Sequence, residues 1–279
     1  MRCTTTWLLA AAWAVAGCSS ASGPQTPPTL VNVFWIAGGQ RTQVWTNALP
    51  DGGPAVVAPP AVQQVDFVFD QRLNGTKIED APTPPIRVSW PEQAAGATFD
   101  AMVLYNSEPF YGGASSYAFL RPASVGVPSS DTIAFTLDGT LLTGTNNRPF
   151  AGPTEITVAT GPLTATVRVP SDADAGGVVP ASYMMPVVFS NRVAADAVSP
   201  FIHAATPAGA LPVTVVGNAS DPTIAYVTAA CPHGWPPGVP ITLTIDGGAA
   251  DAFGGLLAAP ASGTFMSVAT GGETADGGC

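Results

Sequence analysis

Apolar residues in this chain come in runs of five to seven, set between clusters of Gly, Pro, Asn and Asp. In many runs they alternate with Thr or another polar side chain, the period of a strand with one buried face. A first series comprises Leu30–Ile36, Val65–Phe69, Ile86–Trp90, Ala101–Tyr105, Thr132–Leu137, Glu155–Ala159 and Leu163–Val169. A second comprises Met185–Phe189, Leu211–Val216, Thr223–Thr228, Ile241–Ile245 and Gly263–Val268. Most are rich in β-branched and aromatic residues, which suit a pleated, half-buried surface. No segment sustains an apolar period of 3.6 residues, so the pattern predicts an all-β chain with short helical turns after Phe69 and Phe189.

Internal echoes add a second level of order. Residues 65–73 (VDFVFDQRL) align with 185–193 (MPVVFSNRV): an apolar strand ending in Phe, two polar residues, Arg and an aliphatic. Residues 149–158 (PFAGPTEITV) echo 236–245 (PPGVPITLTI), each a Pro/Gly turn feeding a strand in which Thr alternates with apolar residues. Two copies of one sandwich account for both echoes. The expected units are 30–170 and 179–270, joined by the polar linker 171–178 and followed by a Gly-rich flexible tail, 271–279. On this alignment the first copy carries a long insertion near residues 91–130.

The second copy resembles a known family. Its run Pro237-Gly238-Val239-Pro240-Ile241-Thr242-Leu243-Thr244-Ile245 leads to Asp251-Ala252-Phe253-Gly254-Gly255-Leu256-Leu257 and then Gly263-Thr264-Phe265. That succession is similar to the bacterial Ig-like domain of surface-layer proteins and exported lipoproteins, over Val179 to about Thr270. The resemblance implies two tandem Ig-like β-sandwiches. The first copy departs from it, because Gly161-Pro162-Leu163 leads into its last strand without an Asp-x-x-Gly element.

Composition narrows the partners. Hydrophobic residues make up 46%, too many for disorder, while charged residues are only 10%. The net charge is −10 and Lys77 is the only lysine, which excludes nucleic acid as a partner. At the N-terminus, Met1-Arg2 precedes the uncharged apolar run Trp7–Val15 and the small residues Ala16 and Gly17, the layout of a cleaved signal peptide over 1–17. Trp7–Gly17 falls well short of the roughly 20 residues that a spanning helix needs.

Val15-Ala16-Gly17-Cys18 resembles the lipobox of bacterial lipoproteins. The resemblance implies a diacylglycerol on the Cys18 thiol, cleavage before it, and two or three acyl chains, palmitate among them, that make membrane lipid a partner. Residues 18–29 then form a lipidated cysteine and flexible tether. Ser19 rather than Asp after the cysteine points to the outer membrane within the cell envelope. With Cys3 removed and Cys18 acylated, Cys231 and Cys279 are the thiols left in a compartment that permits oxidation, so a disulfide between them is expected.

No catalytic signature emerges. The chain has no His-Glu-x-x-His, Cys-x-x-Cys, Gly-x-Ser-x-Gly or Ser-x-x-Lys, and His203 and His233 are 30 residues apart. The expectation is therefore no enzyme, no metal site and no cofactor. Asp172, Asp174, Asp246 and Asp251 lack a calcium-loop pattern and read as solvated turn acids. Asn74 and Asn218, in glycosylation-like triplets, read as turn residues. Trp90, Tyr105, Phe110, Tyr111 and Tyr117 form the ligand-facing set, with Phe110-Tyr111-Gly112-Gly113 as a loop tip able to stack on sugar rings or a partner. Packing within the first sandwich is the competing explanation. The expected function is a structural or interaction module of the cell envelope, with envelope proteins or glycans as partners. The alternative is carbohydrate or ligand binding through the aromatics of 90–119.

Overall fold

The computed structural model describes residues 26–49, 56–90, 101–106, 116–122, 126–170 and 177–268. The first half builds β1 (Leu30–Ala37), β2 (Gln40–Thr46), β3 (Val57–Ala58), β4 (Val62–Phe69), β5 (Ile86–Ser89), β6 (Ala101–Asn106), β7 (Ser116–Pro122), β8 (Thr132–Leu137) and β9 (Glu155–Thr160). These form two sheets, ordered β2-β1-β4-β7-β6 and β3-β9-β8-β5. The second half builds β10 (Ala165–Val167), β11 (Val178–Pro180), β12 (Met185–Phe189), β13 (Ile202–Thr206), β14 (Gly209–Leu211), β15 (Val213–Gly217), β16 (Ile224–Ala229), β17 (Pro240–Ile245) and β18 (Ala261–Val268). Its sheets are β10-β12-β16-β15 and β11-β18-β17-β13-β14.

Apart from β2 and β14, the two halves place their strands in the same chain order and the same sheet positions. Each has four strands ordered as A-B-E-D facing a sheet built on C, F and G, the Ig-like sandwich. In each, one short strand pairs in parallel with the last: β3 on β9 and β11 on β18. The chain is all-β with two Ig-like sandwiches, as its hydrophobic pattern predicts.

Alternation explains the packing. β8 and β17 share one burial pattern, with every second residue inward: Ile133, Phe135 and Leu137 against Ile241, Leu243 and Ile245. Phe69 and Phe189 end equivalent strands and are both buried, opposite Leu30 and Ala165 respectively. Short helices follow both, α1 (Gly75–Glu79) and α2 (Ala195–Val198). Asn74 caps α1, its side-chain oxygen accepting from the Lys77 N–H at 3.3 Å. Asn218 accepts from the N–H groups of Ser220 and Asp221 in a turn.

Four expectations are corrected. The run Leu163–Val169 belongs to the second sandwich: β10 pairs with β12, and Leu163 and Val167 sit in the second core. The chain therefore crosses between the units near Gly161, ahead of the expected linker, and residues 171–176 of that linker lie outside the described residues. The insertion near 91–130 is no insertion, since β6 and β7 occupy the sheet positions that β15 and β16 fill in the second copy. The echo of 149–158 in 236–245 does not reflect structural equivalence, because β8, not β9, is the counterpart of β17. Register makes Pro128–Gly139 the match of Pro236–Gly247, Leu137 facing Ile86 as Ile245 faces Ile202. Repeating Gly and Pro turns recur too often to fix a register by themselves.

Lastly, residues 26–29 of the expected flexible tether are held. Thr29 donates from its N–H and Oγ1 to the Asp70 carboxylate, both at 2.8 Å. The side-chain amides of Gln71 and Asn146 donate to the Thr26 carbonyl, each at 2.9 Å.

Candidate functional site: the junction between the sandwiches

The end of the second sandwich that carries Ser190-Asn191-Arg192 and the loop after β17 meets the segment between β7 and β8 of the first. Asn191 is fully buried there, and Asp251 and Ser129 nearly so. The Asn191 amide nitrogen lies 2.8 Å from the Val127 carbonyl, 2.8 Å from Asp251 Oδ2 and 3.2 Å from Ser129 Oγ. Asp251 Oδ2 also accepts from the Ser129 N–H at 3.1 Å. Its Oδ1 accepts from the N–H groups of Phe253 and Gly255, at 2.9 and 2.8 Å. A buried carboxylate survives only when its lone pairs are occupied, and here four donors from both sandwiches occupy them.

Two glycines permit this approach. Gly126 has φ +108°, a conformation that side chains disfavour, and a Cβ there would overlap Asn191 Oδ1. A Cβ on Gly255 would stand 2.9 Å from Asp251 Oδ2 and 3.1 Å from Ser129 Cβ. Beside the polar contact, Trp90 packs edge-on against Phe253 with centroids 6.2 Å apart, and the Arg192 guanidinium lies 5.3 Å from the same ring. The cleft left beside these rings holds about 80 Å³, room for water alone. This arrangement can fix one body against another.

The expected site residues fall in several places. Trp90 is buried in the junction and packs against Phe253. Tyr105 lies opposite Ala118 and Tyr117 opposite Asn106, so the two occupy alternate registers of one hairpin. Phe110, Tyr111, Cys18 and Cys279 lie outside the described residues, as do Asp172 and Asp174. Cys231 is half-buried against the second core. Asp246 is an exposed turn acid, its Oδ2 3.1 Å from the exposed His203 Nε2, whereas Asp251 is the buried junction acid and not a solvated one. Among the described residues no group of three or more His, Cys, Asp or Glu could hold a metal, and no helix is long and apolar enough to cross a membrane.

Sequence reasoning missed Asn191 and Ser129. The signal present was the pair Gly126-Val127-Pro128 and Gly234-Trp235-Pro236, 108 residues apart, which marks the segment ahead of β8 as a repeat of the one ahead of β17.

No protein-family model matches the chain, and no curated protein matches it. Among solved structures it is similar to the mouse nectin-like molecule 4 full ectodomain, Ig1–Ig3, at 10% identity and a TM-score of 0.22. That match covers 79% of this chain, and the chain spans 64% of the nectin-like ectodomain.

Proposed function

We propose that this chain is an exported bacterial lipoprotein, anchored through acylated Cys18 in the outer membrane, whose two sandwiches act as a stiff structural or interaction module of the cell envelope. The second sandwich is read as a bacterial Ig-like domain of the surface-layer type. The observation that carries the proposal is the buried Asn191–Asp251–Ser129 contact. A spacer has to transmit position from its anchor to its far end, and a satisfied polar contact inside the junction resists bending more than a wet interface does. The hold on residues 26–29 supports the same reading, because it ties the chain to the first sandwich within eight residues of Cys18.

Fractionation tests the anchor. Wild type is expected in the detergent phase of a detergent split, and Cys18→Ser in the aqueous or secreted fraction. Wild type in the aqueous phase would refute the lipoprotein reading. The Cys231–Cys279 disulfide belongs to the same proposal, since an exported chain meets an oxidising compartment. Non-reducing peptide mapping is expected to recover the two cysteine peptides linked, and an unlinked Cys279 peptide removes that bond from the proposal.

A further inference from the structure

The first sandwich has an open cleft of about 640 Å³, within the size range of small-ligand sites. Its floor and walls come from Thr29 and Leu30, from Trp45, Asn47 and Leu49, and from the stretch leading into β9, ending at Glu155. Trp45 is half-buried on β2, whereas Asn47 and Glu155 are exposed and Leu49 is 49% exposed.

The element that builds this cleft is the one the second copy lacks. β2 extends the sheet beyond β1, and the hairpin brings Trp45 opposite Val33. In the second sandwich the corresponding edge is closed directly. Gly263 of β18 lets Val167 of β10 approach so closely that a Cβ on the glycine would stand 2.7 Å from the valine Cβ. Register puts Ile156 at the position of Gly263, so the first copy has a bulky residue there and adds a strand alongside.

We propose that this cleft binds a neutral sugar. An indole beside an amide and a carboxylate offers an apolar face for the C–H side of a pyranose, a donor and acceptor for hydroxyls, and a strong acceptor for a hydroxyl proton. Lys and Arg are absent from the lining, and the chain's net charge is −10, so an anionic ligand finds a carboxylate and no counter-charge. The site owes nothing to the aromatics of 90–119 and does not depend on the lipid anchor.

The test is calorimetric titration of the full-length Cys18→Ser chain with cellobiose, maltotriose, chitobiose and mannobiose at millimolar concentrations. At least one is expected to bind saturably. Trp45→Ala is expected to weaken that sugar about tenfold or more, the loss of a stacked ring. Asn47→Ala and Glu155→Gln, both at exposed positions, are expected to weaken it without lowering the melting temperature, which keeps the test sharp if Trp45→Ala folds poorly. No saturable binding with any of the four overturns the proposal, including the case in which hexaproline binds in their place. Binding unchanged in both Asn47→Ala and Glu155→Gln also overturns it.

Discussion

The two sandwiches keep one hydrogen-bonded frame and fill it with opposite cores. In the first, Trp35, Phe67 and Phe135 form the aromatic centre, Phe135 standing edge-on to Trp35 at 6.4 Å and to Phe67 at 5.4 Å. Register puts Val187 and Leu243 at the positions of Phe67 and Phe135 in the second. There the aromatic centre is Trp235 against Phe265, 5.1 Å apart, where the first copy has Val127 and Val158. Volume removed from one side of the core is restored on the other, which a close-packed interior requires. The frame changes far less. Thr160 and Ser267 are both buried and both donate to a carbonyl ahead of the neighbouring strand, β8 or β17, Pro128 at 2.6 Å and Pro236 at 2.8 Å. The Trp35 and Trp235 indole N–H groups also donate to carbonyls in the connections ahead of β4 and β12, Pro59 at 2.8 Å and Tyr183 at 2.7 Å. In this repeat, backbone turns and their side-chain anchors persist where core identities do not.

The largest effect that could break the comparison concerns where the second copy begins. A fragment of residues 161–270 is expected to fold cooperatively, whereas 179–270 lacks β10, with buried Leu163 and Val167, and bares the edge of β12. Thermal melting followed by circular dichroism separates the two. Equal cooperativity would return β10 to the first unit. Next come Phe69→Ala and Phe189→Ala, each expected to cost about 3–5 kcal/mol in denaturant unfolding because both rings are buried at equivalent strand ends. A cost below about 0.5 kcal/mol for either one would end their equivalence.

Asn191 and Gln71 are counterparts, two residues after those phenylalanines, and they sharpen the comparison at a smaller scale. Asn191→Ala leaves the Asp251 carboxylate and the Val127 carbonyl short of a donor, and is expected to cost about 1–3 kcal/mol. Gln71→Ala is expected to cost about 0.5–1 kcal/mol, since Asn146 still serves the Thr26 carbonyl. Hydrogen exchange should show the Ser129 amide opening in the first variant only.

The smallest effect is at Asp138, the counterpart of Asp246. The Thr140 hydroxyl holds the Asp138 carboxyl below its ordinary pKa, helped by the Thr140 and Leu141 N–H groups and by Arg87, with slight desolvation opposing. A depressed carboxylate stabilises the fold above its unfolded pKa, near 3.9, and that contribution is lost as pH falls through the folded value. Thr140→Ala is expected to move the Asp138 midpoint upward in an NMR titration and to lower stability slightly at pH 7, a loss that disappears as pH falls below the folded midpoint. A midpoint that stays in place would assign the shift to the backbone donors.

Periodicity alone determined much of this protein. It identified an all-β chain and located most of the long strands, because alternation with period two reports directly which face of a strand is buried, and the echo of 65–73 in 185–193 paired Phe69 with Phe189. It could not report which sheet that face is buried against. Leu163–Val169 reads as a strand in either sandwich, and only its pairing with β12 decided its home. The junction acid and its donor, Asp251 and Ser129, are 122 residues apart, and no local pattern links them. Trp90 was legible as an aromatic but not as one buried against Phe253, and the Trp45 cleft depends on an added strand whose partner is set by the tertiary fold. Local side-chain chemistry is written along the chain, whereas the contacts that join distant segments arise when the sheets close.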